Sequence, residues 1–335
     1  MTARYRPLVQ SGAARPAGAV QLAGGELWFT HAERLERGAA PVIVPTADVP
    51  GEDLARLTTP RAPLLGLDLA NPHVMGIVNT TPDSFSDGGL NLAPENAVRM
   101  GRDMARAGAS IVDIGGESTR PGAALVPQDV EIDRTAPVIA GLGLICEAPI
   151  SIDTRKGCVA QAAHTAGAVM VNDVSGFTYD PGMASYCATH GLTVCIMHAQ
   201  GTPDIMQDAP DYEDVLLDVY DALESRVNNL VLSGIPKARI AVDPGIGFGK
   251  TVAHNLTLLQ NISLFHGLGC AVLLGVSRKG FIGKIGGAKD TQARAPGSIA
   301  VGLAALAQGV QILRVHDVEE TMQAVKLWQA VRGRT

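Results

Sequence analysis

Short apolar segments that alternate with longer stretches of helical periodicity constrain the fold of this chain more than any other feature. Eight such segments lie between residues 72 and 318, at 74–78, 110–114, 150–153, 169–173, 193–197, 240–243, 270–275 and 312–315. Strands that are apolar along their whole length are typical of parallel sheets covered by helices on both faces. The pattern predicts an α/β protein, and eight strands with helical crossovers favour a closed (β/α)8 TIM barrel. An open doubly wound sheet is the alternative on pattern alone.

Helical periodicity fills the intervals between these strands. In the first interval, apolar and small side chains recur every three or four residues from Ala97 through Met104 to Gly108, which predicts an amphipathic helix. Further helices are predicted at 154–166, 182–190, 211–232, 253–265, 297–307 and 318–331. The stretches 80–91 and 115–127 are rich in Gly, Ser, Thr, Asp and Pro and exceed a minimal strand-to-helix connection, which is typical of functional loops.

The first 71 residues have a different character. They are rich in Ala, Gly, Pro and Arg, include a possible hairpin across Gly24 and Gly25, and carry no catalytic-looking group. We therefore predict two units. Residues 1–71 would form a small appended subdomain of strands and helix that covers the bottom or side of the barrel, and residues 72–335 would form the barrel.

Composition excludes several classes of partner. The formal net charge is −6, from 33 acidic and 27 basic residues, and no stripe of Lys or Arg could neutralise a nucleic acid backbone. No segment approaches the roughly 18 apolar residues that a membrane span requires. The five cysteines are odd in number and form no CxxC pair, and the first ten residues lack the apolar core of a signal peptide. We therefore expect buried free thiols and a cytoplasmic location.

Polar residues end nearly every predicted strand. They are Asn79 and Thr80, Asp113, Asp153, Asn172 and Asp173, His198 and Gln200, Asp243, Ser277 to Lys279, and Arg314 and His316. A single aspartate at a strand end is more often a helix N-cap than a catalyst. Because active sites of barrels lie at the carboxyl ends of the strands, this many polar residues in such positions predict one convergent site.

Four of these residues would place hydrogen-bond acceptors around one rim: Asp113, Asp153, Asn172 and Asp243. Such a group is unfavourable when it is partly buried, unless a donor-rich ligand binds there. The edge of an aminopyrimidinone ring supplies several N–H donors in one plane, and Lys279 would offset the carboxylate charge. A metal site is the alternative, but the cluster lacks paired His or Cys ligands at suitable spacing.

Arg314 and His316 carry the opposite charge. They stand just before a predicted helix that starts near Asp317, and cations beside a helix N-terminus form an anion site. Barrels commonly bind phosphate near strands seven and eight. With Asn79 available as a protein ligand for Mg2+, we expect a pyrophosphate here. A capped helix with a surface arginine is the alternative.

The glycine-rich segment 245–251 ends like a phosphate-binding loop. That motif requires glycine at the position of Pro244, so we reject it. The GxG spacing instead predicts a close approach of the backbone to a planar ligand, with Phe248 stacking or packing beside it.

Eight motifs follow one another through the predicted barrel. They are MGIVNTTPDSFSDGG (75–89), DIGGESTRPG (113–122), SIDT (151–154), VNDVSG (171–176), MHAQGTP (197–203), DPGIGFGK (243–250), LGVSRKG (274–280) and RVHDV (314–318). On these motifs the sequence resembles the dihydropteroate synthase family, whose motifs occur in the same order. The resemblance covers nearly all of residues 72–318 and leaves the N-terminal region unexplained.

This resemblance implies a transferase of folate biosynthesis that condenses 6-hydroxymethyl-7,8-dihydropterin pyrophosphate with 4-aminobenzoate, giving 7,8-dihydropteroate and pyrophosphate. It also implies Mg2+, a homodimer and a target of sulfonamides. The implied catalytic residues are Asp153, Lys279, Arg314 and His316. Substrate residues would be Asp113, Asp153, Asn172, Asp243, Phe248 and Lys279 for the pterin, Asn79, Arg314 and His316 for pyrophosphate, and Thr119, Arg120, Pro121, Ser277 and Lys279 for 4-aminobenzoate, with Asn79 also on the metal.

Two residues depart from the pattern of the family. Ala199 replaces a larger residue expected after His198, and Gly280 replaces a small polar residue expected after Lys279. Both changes concern the edge of the sulfonamide pocket. A pterin-dependent methyltransferase on a related barrel would share the acceptors but need no pyrophosphate site. A non-catalytic pterin-binding homologue is a further alternative, which the full set of catalytic positions disfavours.

Overall fold

The computed structural model describes residues 3–81, 94–118, 125–201 and 210–333. Its first elements are five short strands and a helix: β1 (Arg4–Pro7), β2 (Val20–Gln21), β3 (Trp28–Phe29), β4 (His31–Leu35), β5 (Val42–Pro45) and α1 (Gly51–Thr58). β1, β4 and β5 form an antiparallel sheet. β2 pairs with β3 across Gly24 and Gly25, which confirms the predicted hairpin.

Eight parallel strands of the described chain then close into a barrel, which confirms the predicted TIM barrel and excludes the open sheet. They are β6 (His73–Asn79), β7 (Ile111–Gly115), β8 (Ile150–Asp153), β9 (Met170–Asp173), β10 (Thr193–Met197), β11 (Ile240–Asp243), β12 (Ala271–Gly275) and β13 (Ile312–Val315). β13 pairs with β6 to complete the ring, with Leu313 opposite Val74.

Helices cover the outside of the barrel. They are α2 (Pro94–Ala107), α3 (Gln128–Gly143), α4 (Gly157–Thr165), α5 (Met183–His190), α6 (Val215–Leu232), α7 (Val252–Gln260), α8 (Gly280–Gly286), α9 (Ala295–Leu306) and α10 (Val318–Val331). The sequence prediction missed α3, which carries Pro137 in its interior, and the seven-residue α8. The helix predicted at 253–265 is divided, because a 3-10 helix (Ile262–Leu268) follows α7.

The interior of the barrel has an apolar layer below a polar one. Leu64 and Leu69 pack in one cluster with the inward residues Met75, Ile111, Met170, Cys195, Ala241, Leu273 and Ile312. Side chains two residues apart on a strand share a face. The next inward positions along these strands therefore include Asp113, Asn172, Asp243 and Arg314. Because side chains alternate along each strand, the predicted site residues form the polar layer directly above the apolar layer of the barrel interior.

The N-terminal region packs against the side of the barrel. Arg4 and Arg37 both form ion pairs with Asp221 on α6, at 2.9 and 2.7 Å. The division of the chain into a subdomain of residues 1–71 and a barrel of residues 72–335 stays a prediction.

Two predictions from composition concern the state of the cysteines and membrane-spanning segments. All five cysteines are free, and three of them, Cys187, Cys195 and Cys270, are buried. Within the described ranges no helix combines the length and apolarity needed to cross a membrane.

Candidate active site

A cavity of about 880 Å³ opens at the carboxyl ends of the barrel strands. Among the residues that line it are Asn79, Asp153, Asn172, Asp243, Phe248, Ser277, Lys279, Arg314 and His316. Asp113 is fully buried and contacts two of these residues. Thr119, Arg120 and Pro121 lie outside the described residues. The structure therefore brings together every predicted site residue that it describes.

Arg314 lies between two carboxylates. Its Nε donates to Asp113 Oδ2 and its Nη2 to Asp153 Oδ2, each at 2.6 Å. Burial alone would lower the pKa of Arg314, but the two carboxylates raise it, so the side chain stays cationic. The sequence placed Arg314 in an anion pocket beside the acceptors. The guanidinium lies within the acceptor cluster, because the inward face of β13 points it there, and its predicted role toward pyrophosphate stays a prediction.

Asp113 joins three strands from below the cavity. Its Oδ2 accepts from Asn172 Nδ2 at 3.0 Å as well as from Arg314. These partners belong to β9 and β13, whereas Asp113 belongs to β7. The position of Asp113 therefore allows it to orient other site residues without lining the cavity itself.

Two buried carboxylate oxygens in this cluster have no hydrogen-bond partner among the described residues. They are Oδ1 of Asp113 and Oδ1 of Asp153. Burial raises the pKa of Asp153 to about 7, against the opposing charge of Arg314. An unsatisfied buried acceptor costs about 1–3 kcal/mol. This site therefore holds acceptor capacity that a donor-rich ligand would satisfy.

Asp243 stands across the rim at the end of β11. Its Oδ1 accepts from the backbone N–H of Gly245 at 2.7 Å and its Oδ2 from that of Gly275 at 3.2 Å. Burial raises the pKa of Asp243, although the N–H group of Gly245 and nearby cations favour its ionised form. Asp243 is thus held in a fixed orientation by the backbone of the loop after β11 and of the last residue of β12.

Lys279 follows β12 and packs on an aromatic ring. Its Nζ lies 3.9 Å from the centroid of the Phe248 ring, a separation at which a cation is attracted to the ring face. Gly247 leaves room for this contact, since a Cβ there would lie 3.2 Å from Lys279 Cδ. The sequence predicted that Phe248 stacks or packs beside a ligand, and in the structure its ring contacts Lys279 at the wall of the cavity.

The glycines around Phe248 allow a neighbouring loop to pack closely against their backbone. A Cβ at Gly245 would lie 1.9 Å from the carbonyl oxygen of His198, and one at Gly249 would lie 2.4 Å from that of Gln200. The predicted approach of this backbone to a planar ligand is therefore corrected for these two glycines. They allow contact between the backbones that follow β10 and β11.

Ser277 and His316 are hydrogen-bonded to each other. The backbone N–H of His316 donates to Ser277 Oγ at 3.0 Å, and His316 Nδ1 lies 2.9 Å from the same oxygen. Ser277 follows β12 and His316 follows β13. A residue predicted for 4-aminobenzoate and one predicted for pyrophosphate therefore form a single unit.

Sequence reasoning missed an ion pair that links these same two loops. Arg278 Nε donates to Asp317 Oδ2 at 3.0 Å, and Arg278 Nη2 donates to Asp317 Oδ1. Arg278 has a left-handed backbone with φ of +57°, which is costly for a residue with a side chain. Asp317 occupies the N-cap position of α10 without capping it through its side chain. Their positions next to Ser277, Lys279 and His316 in the motifs were the available signal.

A second missed network lies just after the carboxyl ends of β7 and β8. Lys156 Nζ is 2.5 Å from Oε2 of Glu131 and 3.2 Å from Oε2 of Glu117. Glu117 Oε1 also accepts from the backbone N–H of Val126 at 3.0 Å. Glu131 belongs to α3, which the sequence prediction did not contain, so this network could not be found from the sequence.

Comparisons with known proteins agree with this geometry. The family described as pterin binding enzyme matches residues 75–316. The chain is 43% identical to a dihydropteroate synthase of Escherichia coli (strain K12) over 264 residues, which cover 79% of this chain and 93% of the relative. It also resembles a solved Xanthomonas albilineans dihydropteroate synthase with 4-aminobenzoic acid (44% identity, TM-score 0.77, 83% of this chain and 100% of that one). A Yersinia pestis dihydropteroate synthase in complex with a sulfonamide drug has 43% identity and a TM-score of 0.76, covering 80% of this chain and 96% of its own.

Proposed function

The chain belongs to the family of pterin-binding enzymes, and on this basis we propose that it functions as a dihydropteroate synthase. In this reaction the methylene carbon of 6-hydroxymethyl-7,8-dihydropterin pyrophosphate forms a bond to the amino nitrogen of 4-aminobenzoate. Its C–O bond breaks and its electron pair leaves with the pyrophosphate. The amine loses a proton, and the product is 7,8-dihydropteroate. The protein is thus a transferase.

One observation on the residues of this chain supports the proposal most directly. Asp113 and Asp153 each keep a buried carboxylate oxygen without a partner among the residues the structure describes. The pterin edge presents N–H donors in one plane, so its binding would satisfy Oδ1 of Asp153, which lines the cavity. Asp113 would support the site from below through Asn172 and Arg314. Asn172 and Asp243, which also line the cavity, would accept or donate along the same edge. Lys279 would donate to a ring nitrogen or carbonyl.

Two basic side chains would serve the leaving pyrophosphate. Arg314 and His316 line the same cavity, and negative charge grows on the leaving group as the C–O bond weakens. The positive charge that develops on the pterin methylene is delocalised into the ring, where Asp153 would stabilise it. The neutral arylamine needs positioning more than a general base. Ser277 and Lys279, with the predicted Thr119, Arg120 and Pro121, would provide this positioning.

We also propose that Mg2+ takes part, held by Asn79. This residue lines the cavity at the end of β6 and offers one hard amide oxygen. Mg2+ usually retains several waters and binds through few protein ligands together with phosphate oxygens, so a single oxygen beside the proposed pyrophosphate position fits its chemistry. When bound, it would supply positive charge to the leaving group.

A pyrophosphate release assay tests the proposed reaction. We expect release when the pterin pyrophosphate, 4-aminobenzoate and Mg2+ are mixed with the protein, and a large loss of rate when EDTA removes the metal. Absence of release by folded, pterin-bound protein would contradict the proposal and leave a binding role. Tighter binding of methyltetrahydrofolate than of pterin pyrophosphate would favour the methyltransferase alternative, which the comparisons do not favour.

Arg314→Ala separates the two halves of the substrate. Loss of the guanidinium should weaken the pyrophosphate-containing substrate more than free pterin, because a charged hydrogen bond contributes about 1.5–3 kcal/mol. Calorimetry with both ligands measures the difference. Equal losses would contradict a role of Arg314 toward the anion and leave only its contacts with the carboxylates.

Three further properties belong to the proposal. Sulfonamides should compete with 4-aminobenzoate, as expected from the relative solved with a sulfonamide drug. The protein should form a homodimer, which sedimentation would detect. Its location should be the cytoplasm, in agreement with five free thiols, and cell fractionation would test this.

A further inference from the structure

Lys250 is a buried basic residue that the proposed reaction does not use. It is 3% exposed, and its Nζ contacts four acceptors. They are the carbonyl oxygens of His198 (3.1 Å), Gly245 (2.9 Å) and Phe248 (3.0 Å), and the Nδ1 atom of His198 (3.0 Å). One side chain therefore joins the loop that follows β10 to the loop that follows β11.

The protonation of His198 agrees with this arrangement. Burial, together with the positive charges of Lys250 and Arg226, lowers the pKa of His198 to about 2. The imidazole is therefore neutral, and its Nδ1 can accept from the Lys250 ammonium. Burial lowers the pKa of Lys250 to about 7, against the charge of Asp243. In its protonated form Lys250 has three N–H donors, and the four acceptors around Nζ can use all of them.

Backbone geometry turns the carbonyl groups toward Lys250. Gly245, Gly247 and Gly249 have φ values of +71°, +83° and +61°, which glycine adopts without steric cost. Gly245 and Gly249 also lack room for a side chain against the neighbouring loop. The GxGxGK sequence therefore encodes a loop that wraps around its own terminal ammonium group.

The loop of residues 245–250 provides the surface on which Lys279 packs. Phe248, whose carbonyl is held by Lys250, presents its ring 3.9 Å from Lys279 Nζ. Gly247 lies between the anchored residues and faces the aliphatic part of Lys279, at 3.2 Å from its Cδ to a Cβ built on the glycine. A shift of this loop would therefore displace the Lys279 ammonium.

From this geometry we propose that Lys250 is a positioning residue for Lys279. It ties the loops after β10 and β11 together, fixes the Phe248 ring, and so directs the Lys279 ammonium to the pterin subsite. The inference rests on the proposed function, since it concerns the affinity of that subsite.

Lys250→Met removes the ammonium and keeps most of the side-chain length. We expect the dissociation constant for 6-hydroxymethylpterin, measured by calorimetry, to rise about 10- to 100-fold, because several hydrogen bonds that orient one ligand contact are lost together. Arg226→Met is the matched control. Arg226 is also a cation that donates to a backbone carbonyl of this region, that of Met197 at 2.8 Å. Among the described residues it has no hydrogen bond to the loop of Phe248. Its loss should lower stability and leave pterin affinity within about twofold.

A double-mutant cycle identifies the route of the effect. If Lys250 acts through Lys279, the double variant should bind pterin less than about threefold more weakly than Lys279→Met alone. Full additivity, or unchanged affinity in Lys250→Met, would overturn the inference. Should Lys250→Met fail to fold, Lys250→Gln retains two N–H donors and must show an intermediate loss. Wild-type protein that does not bind pterin would contradict the proposed function itself, whereas wild-type binding with an unaffected Lys250→Met contradicts only this inference.

Discussion

Lowering the pH should weaken pterin binding through protonation of Asp153. Burial raises the pKa of this carboxyl to about 7, and the charge of Arg314 only partly opposes that effect. The ionised form, which accepts hydrogen bonds with both oxygens, is populated above pH 7 and is lost as the pH falls. The protonated form would present an O–H donor toward the donor edge of the pterin.

The magnitude follows from the ionised fraction. With a pKa of about 7, the carboxylate is about half ionised at pH 7, about one tenth at pH 6 and about one hundredth at pH 5. If only the ionised form binds, the dissociation constant for 6-hydroxymethylpterin rises about 100-fold between pH 8 and pH 5. Asp153→Asn should bind weakly at every pH and lose this dependence.

Stability of the ligand-free protein should change in the opposite direction. The pKa of Asp153 is raised on folding, so the folded state binds the proton more tightly than the unfolded state, and stability falls as pH rises from about 4 to about 7. A rise from 3.8 to about 7 corresponds to about 4 kcal/mol as an upper value. Asp153→Asn should make the free energy of unfolding in urea independent of pH over this range. The variant also weakens the contact with Arg314, which offsets part of the stability gained by removing the buried charge.

Asp173→Asn is the control for the pH experiment. Burial raises the pKa of Asp173 to about 6, but its carboxylate accepts from the backbone N–H groups of Ser175 and Phe177 and is not among the residues that line the cavity. The variant should keep the pH dependence of pterin affinity. A flat wild-type profile, or an unchanged slope in Asp153→Asn, would refute the assignment of Asp153 as the titrating acceptor.

Three further predictions concern the loops around the cavity. Arg278→Met breaks the bidentate pair with Asp317 and should lower kcat/KM about tenfold. Arg278→Gly relieves the left-handed backbone but also loses the pair, so an active Gly variant would contradict the role of the ion pair. Gly245→Ala places a Cβ 1.9 Å from a carbonyl oxygen and should lower the free energy of unfolding by about 3 kcal/mol or more, whereas Gly286→Ala, with open space around it, should have almost no effect in the same urea titration. Gly280→Ser meets no atom within 4 Å, so it should keep wild-type stability and lower KM for 4-aminobenzoate a few-fold through one added hydroxyl; an unchanged KM would show that this position does not reach the pocket.

The barrel could be predicted from the sequence because its strands carry two signals at once. A strand such as Ile240–Asp243 is apolar along its length and ends in a polar residue, and the chain repeats this combination. The strand bounds predicted from the pattern lie within one residue of those observed at every strand. Helix α3 escaped prediction because Pro137 and nearby glycines hide its periodicity, while tertiary packing against α2 and α4 supports it.

The pairings within the site could not be predicted in the same way. Which carboxylate contacts Arg314 depends on side-chain directions across the barrel, and those directions depend on the closure of eight strands. The same limit applies to Arg278 and Asp317, whose loops meet only because β12 and β13 pair in the barrel. Lys250 was visible as part of a rejected phosphate-loop pattern, but its four acceptors come from two loops that only the fold brings together.

The contacts of Arg314 bear on how the two halves of the substrate would cooperate. In the ligand-free site the guanidinium offsets the charges of Asp113 and Asp153. A ring edge that donates to both oxygens of Asp153 would compete with Arg314 for Oδ2, and a pyrophosphate nearby would provide the guanidinium with a new partner. A ligand with only one half would leave a buried charge less well compensated, at a cost of several kcal/mol in the limit of complete loss. The ion pair therefore favours ligands that carry both a donor edge and an anion, as the pterin pyrophosphate does.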